Sequence, residues 1–177
     1  MTQSFAHPAP EDGRNAGSAD PHAKRQEKDE NLIQLVTFRL GDEEFGVKIL
    51  VVNEIIRLVQ ITQVPNAPEF IEGVINLRGK VLPVMGLRKR FRMPERELDD
   101  NSRIIVMELN HNVVGFLVDA VSEVLRIPES TVEPAPAVVA GIGSEYIEGV
   151  GKLDDRLLIL LDLEALLADA DIEDMGR

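Results

Sequence analysis

One motif occurs twice in this chain. The stretch Phe70–Leu87 (FIEGVINLRGKVLPVMGL) aligns without a gap on Tyr146–Leu163 (YIEGVGKLDDRLLILLDL), 76 residues further on. Ile, Glu, Gly, Val and three Leu recur in place, where composition alone gives about one identity in such a window. A second set of matches lies upstream at an offset of 69: Val36 with Ile105, Phe38 with Met107, Leu40 with Leu109, Gly46 with Gly115, Val52 with Val121, Glu54 with Glu123, Arg57 with Arg126 and Pro65 with Pro134. A repeat of this kind is one supersecondary unit used twice. The seven extra residues of the second copy fall between Pro134 and Tyr146, in an unusually apolar stretch from Ala135 to Ser144. Such a loop either meets a partner or folds back on the other lobe.

The pattern within each copy is that of short strands. Leu32–Leu40 alternates with a period of two, which predicts a half-buried strand. Gly41-Asp42-Glu43 is turn chemistry, Phe45, Val47 and Ile49 alternate again, and Val51–Val59 is rich in β-branched residues. Asn66-Ala67-Pro68-Glu69 has the cap and first-turn residues of a short helix, with Gly73 as its stop. Val74–Leu77 and Val81–Val84 read as two strands joined at Arg78-Gly79, where Gly supplies positive φ. Pro83 cannot donate to a ladder, which predicts an edge strand. Asp162 can cap a final helix over Leu163–Ala168. Two copies of a roughly five-stranded unit, each closed by a short helix, predict an all-β pair of small barrels.

Residues 1–30 carry hardly any large apolar side chain, so they read as a disordered tail, with His7 and His22 solvated. A folded domain over 31–169 is expected, its first barrel about 36–98 and its second about 102–160, with room for exchange of terminal strands. Residues 170–177 read as an acidic tail. The chain has 177 residues, no Cys, and a formal charge of −12. Nucleic acid is an unsuitable partner for such a charge, and an anionic membrane surface is equally disfavoured. No apolar run reaches the ~18 residues of a spanning helix. Without Cys a reducing cytoplasm is permitted. Charge divides between the copies: Arg78, Lys80, Arg88, Lys89, Arg90, Arg92 and Arg96 stand against Glu95 in the first, whereas acids dominate from Lys152 to Asp174. Opposite signs on related units suit head-to-tail stacking with a similar module.

Catalytic chemistry finds no support. There is no Cys, His111 is the only His of the folded part, and Asp154-Asp155 sits at a hairpin tip where Asp is common for turn reasons. Gly141-Ile142-Gly143 is a lone G-x-G. No convergent polar set, metal site or cofactor motif is present, so the expectation is a protein without activity or cofactor.

The stretches Leu40–Val47 (LGDEEFGV), Phe70–Gly79 (FIEGVINLRG), Val113–Val121 (VVGFLVDAV) and Asp155–Leu160 (DRLLIL) resemble the CheW family of chemotaxis coupling proteins. The resemblance runs through about residues 32–168. It implies two SH3-like five-stranded barrels packed on a shared core, with short helices and no enzymatic activity. It further implies a cytoplasmic adaptor recruited to membrane receptor arrays, reaching the membrane only through receptors. Its implied partners are the CheW-like regulatory domain of the histidine kinase CheA and the cytoplasmic signalling tip of a chemoreceptor. Where the family usually has an acid before Leu-Arg, this chain has Gly86, a looser cap, while the second copy keeps Asp162. Alternatives are a coupler for another receptor–kinase pathway, such as surface motility, or a small-barrel binder of nucleic acid or a small ligand. Candidate partner-binding residues are Glu54, Asn76, Leu77, Arg78, Gly79, Val114 and Phe116. Arg78 at a hairpin tip suits an interface anchor or an internal pair with a carboxylate such as Glu54. Glu54 is either a contact or, since Glu123 repeats it, architectural. The alternation around Val114 and Phe116 also fits a core.

Overall fold

The computed structural model describes residues 31–135 and 144–168. The expected tail over 1–30, most of the apolar insertion and the acidic end lie outside the described residues. The first copy supplies β1 (Leu32–Leu40), β2 (Glu43–Lys48), β3 (Val52–Arg57), β4 (Ile71–Leu77), β5 (Lys80–Gly86) and the one-turn helix α1 (Leu87–Arg90). The second supplies β6 (Arg103–Leu109), β7 (Asn112–Val118), β8 (Ala120–Pro128), β9 (Val132–Glu133), β10 (Ile147–Lys152), β11 (Leu157–Leu161) and α2 (Leu163–Ala168). The all-β architecture expected from the sequence is the one observed.

Neither sheet is built from one stretch of chain. The strand orders are β8-β1-β2-β11-β10-β9 and β3-β6-β7-β5-β4. Exchanging each strand for its counterpart in the repeat converts the second order into the first, apart from β9. The match extends to direction, since β2–β11 and β5–β7 are the parallel pairs and their counterparts are each other. Thus β1 and β2 complete the sheet of the second copy, and β6 and β7 complete that of the first.

The exchange explains the core. Leu35, Ile127, Leu158 and Leu160 fill one barrel, and Ile75, Leu82, Val84, Ile104, Val106 and Leu117 fill the other. A third and larger cluster lies between them, joining Val36, Phe38, Leu40 and Phe45 to Met85, Ile105, Met107, Val114 and Phe116. β1 is therefore covered on both faces, with Leu35, Val36, Thr37 and Phe38 all buried. The half-buried strand expected from its alternation is corrected here: one face lines its own barrel and the other meets the sister barrel.

Three further expectations fail: the helix after Asn66, its stop at Gly73, and the edge position of Pro83. No helix forms after Asn66; the Ile71 N–H donates to the Pro68 carbonyl in a single turn (2.9 Å), and the chain then enters β4. The segment is bracketed by a strand contact, in which Thr62 and Val74 exchange backbone bonds of 2.9 and 2.8 Å. Gly73, read as a helix stop, instead lies at a register shift of the β4–β5 pair with φ +148°. Gly149 lies at the same shift in the β10–β11 pair. Pro83 is not on an edge strand, because β5 runs between β7 and β4. It is tolerated because the β5–β7 ladder begins one residue later, at Val84 opposite Gly115.

A Cβ at position 73 would overlap the Thr62 carbonyl oxygen. Gly73→Ala is expected to cost about 3 kcal/mol in urea unfolding, from strained backbone and a lost strand contact.

Candidate partner-binding site

The turn between β4 and β5 is set by local chemistry. Arg78 and Gly79 both take positive φ, 54° and 84°, as a tight hairpin turn requires. The Asn76 Oδ1 accepts the Gly79 N–H at 2.9 Å and stiffens the loop. Leu77 packs on the barrel core beside this turn. The Arg78 guanidinium is thereby projected at Glu54 of β3, donating to Oε1 at 3.0 Å and Oε2 at 2.7 Å. The fork is planar and bidentate, the geometry for which Arg is suited.

This pair has an architectural meaning. β3 and β4 are the opposite edges of their sheet, so Arg78 reaches across the gap where the sheet curls back on itself. The same device recurs in the other barrel, where Arg156, between β10 and β11, binds Glu123 of β8 and also Glu44 at 3.2 Å. The Glu123 hydrogen bond, then the charge of Glu44, holds the Arg156 guanidinium above its ordinary pKa. Both options weighed for Arg78 thus meet in one side chain. It makes the internal pair and stays 74% exposed, against 27% for Glu54. An exposed pair of this kind adds at most about 1 kcal/mol to stability.

The structure therefore brings Glu54, Asn76, Leu77, Arg78 and Gly79 together at one barrel rim. It separates Val114 and Phe116 from them. Both have 0% exposure and lie in the core between the barrels. They are corrected to packing residues, since no partner reaches them without opening that core. Exposed apolar side chains stand instead at Ile55 and Val81 near the first rim, and at their counterparts Val124 and Leu157 near the second. These escaped sequence reading because outward and inward faces of a curled sheet look alike in a short alternating run. The repeat was the signal that could have paired them.

The basic run is also less open than its sequence implies. Arg88 lies in a partly buried ion pair with Asp119, donating from Nε at 2.8 Å and Nη2 at 2.6 Å. The two side chains are 17% and 12% exposed. Asp119 also accepts the Gly41 N–H at 2.8 Å, and its own N–H donates to the Arg39 carbonyl. It thus ties α1 to the β1–β2 turn. Burial alone would raise the Asp119 carboxyl, but the hydrogen bonds from Arg88 and Gly41, with the charges of Arg88 and Arg96, hold it below the usual carboxylate range. Its hydrogen bond holds Arg88 above its usual value against the opposing effect of burial. Lys89 binds Glu72 at 3.2 Å, and Arg96 binds Asp99 at 3.2 Å. Arg78, Arg88, Lys89 and Arg96 of the basic run are thus paired with carboxylates of the same chain. At Gly86 the helix start has no side-chain cap, and the Glu72 carboxylate occupies the space where an acid at this position would stand. In α2, Asp162 Oδ1 accepts the Ala165 N–H at 3.1 Å.

Among the described residues no group of three His, Asp or Glu is gathered as metal ligands, and no helix is long and apolar enough to cross a membrane. Two sister barrels with repeated ion pairs and exposed apolar rims define a scaffolding module. The CheW-like domain model matches residues 34–171. The chemotaxis protein CheW of Klebsiella aerogenes is 40% identical over 139 residues, which is 78% of this chain and 84% of the relative. That of Bacillus subtilis is 37% identical over 134 residues, 76% of this chain and 86% of the relative. The crystal structure of the scaffolding protein TtCheW from Thermoanaerobacter tengcongensis is 43% identical, covers 76% of this chain and 87% of its own, and superposes with a TM-score of 0.71. The chain belongs to the CheW family of chemotaxis proteins, adaptors without enzymatic activity.

The Asp119 pair sets a pH dependence. A carboxyl held low in the folded state stabilises fully above its ordinary range and loses that contribution as pH falls through the folded-state value. Asp119→Asn is expected to cost about 2 kcal/mol near pH 7. In urea unfolding the gap to the parent protein should narrow on acidification to about pH 3.

Proposed function

We propose that this chain couples chemoreceptors to the histidine kinase CheA by non-covalent contacts alone. One contact is made with the CheW-like regulatory domain of the kinase, and another with the cytoplasmic signalling tip of a receptor. The protein works in the cytoplasm and reaches the membrane only through receptors. The observation that carries this reading is the duplicated rim. Each barrel has an exposed Arg–Glu pair beside exposed apolar side chains, at Arg78–Glu54 with Ile55 and Val81, and at Arg156–Glu123 with Val124 and Leu157. Two like surfaces on one chain allow two partners to be held at once. Apolar contact area ringed by charge is the composition of an interface that both binds and discriminates. A receptor's helical tip fits such a surface by laying apolar positions along it.

Titration of the purified chain with a receptor signalling fragment, and separately with the kinase regulatory domain, tests the reading. Arg78→Asp is expected to weaken at least one of these by about 2 kcal/mol, roughly thirtyfold in Kd. Its thermal midpoint should move little, because the pair is exposed. Saturable binding to neither fragment, or an unchanged Kd for both with Arg78→Asp, would overturn it.

A further inference from the structure

Arg90 stands where the repeat departs from its own symmetry. Its counterpart 76 residues on is Leu166, a fully buried core residue. The Arg90 guanidinium lies 4.2 Å from the centroid of the Phe70 ring and 4.7 Å from that of Tyr146. These two aromatics are themselves counterparts, and each is held by the same backbone bond. The Gly86 N–H donates to the Phe70 carbonyl at 2.8 Å, and the Asp162 N–H donates to the Tyr146 carbonyl at 2.7 Å. Nη2 of Arg90 also donates to the Leu166 carbonyl at 3.4 Å. One side chain therefore touches both copies of the repeated aromatic and its own counterpart. Phe70 and Arg90 flank β4 and β5 of one sheet, whereas Tyr146 and Leu166 flank β10 and β11 of the other.

Beyond Tyr146 the contact continues as a row of rings. Phe91 lies 6.0 Å from Tyr146, Phe45 stacks on Phe91 at 5.7 Å, and Phe38 stacks on Phe45 at 5.8 Å. A chain with six Phe and one Tyr places five of them in this row, and Phe116 in the same core. The hydrophobic driving force on the aliphatic side chains is itself non-directional. A planar cation over two ring faces, with a hydrogen bond at its edge, fixes distance and tilt together.

We propose that Arg90 is a positioning residue that sets the angle between the two barrels. The folding energy of the seam comes from the surrounding apolar cluster, and Arg90 selects one packing from several of similar energy. Replacing a buried charged group by an apolar one often leaves stability unchanged or raises it, so a loss of the barrel angle without a loss of stability is the signature of this role.

The absence of Cys makes the test direct. Spin labels on E43C of β2 and K80C of β5, both exposed and on different sheets, report the distance between barrels by pulsed electron resonance. The parent should give one narrow distribution. Arg90→Leu, which copies Leu166, should broaden or shift it with a thermal midpoint at or above the parent value. Arg90→Lys keeps the charge without the planar fork and should fall between the two. If Arg90→Leu does not fold, Arg90→Lys decides, and broadening with the parent midpoint supports the role. The parent distribution in the folded variants would overturn it, as would broadening that appears only together with a lowered midpoint.

Discussion

The cluster through Phe38, Leu40, Met107 and Phe116 gives the two barrels a common interior. It exists because β1 and β6 are apolar on both faces, one face for each barrel. A barrel of about 60 residues buries too little surface to be more than marginally stable alone, and one filled by Leu, Ile and Val without Trp has few large side chains to compensate. Sharing a wall removes a second apolar face from water in each sheet. The strand exchange then makes the sharing obligatory, since each sheet is complete only with two strands from the other copy.

Much of this was legible in the repeat, and the rest was hidden for identifiable reasons. The strands, the Arg78-Gly79 turn and the Asp162 cap follow from local residues, so sequence reading located them. The segment after Asn66 carries good helix-start chemistry, but the pairing of Thr62 with Val74, twelve residues on, brackets it and carries the chain into β4. Pro83 marks the end of a ladder and not the edge of a sheet, a distinction that depends on a parallel partner 31 residues away. At the candidate site, Glu54, Asn76, Leu77, Arg78 and Gly79 converge as one rim. Val114 and Phe116 were open between core and contact in the sequence, and the sister barrel places them in the core. The Arg88–Asp119 pair and the Arg90 contacts are tertiary and left no local trace.

The molecule separates what holds it together from what it offers to others. Buried aliphatic clusters and the Arg88–Asp119 pair lie at the seam and behind the turns. The exposed Arg78–Glu54 and Arg156–Glu123 pairs sit at the rims, where a change costs little folding energy. That division suits a family of adaptors whose work is done by surfaces alone.

The reciprocal placement of β1–β2 and β6–β7 has a consequence for any chain carrying only one copy. Such a half-length polypeptide lacks the two central strands its remaining three require, and exposes two strands with no sheet to join. A second identical half would satisfy both needs at once by a twofold handshake. The present chain holds within itself the arrangement that a twofold pair of such halves would make, while leaving its two sides free to differ.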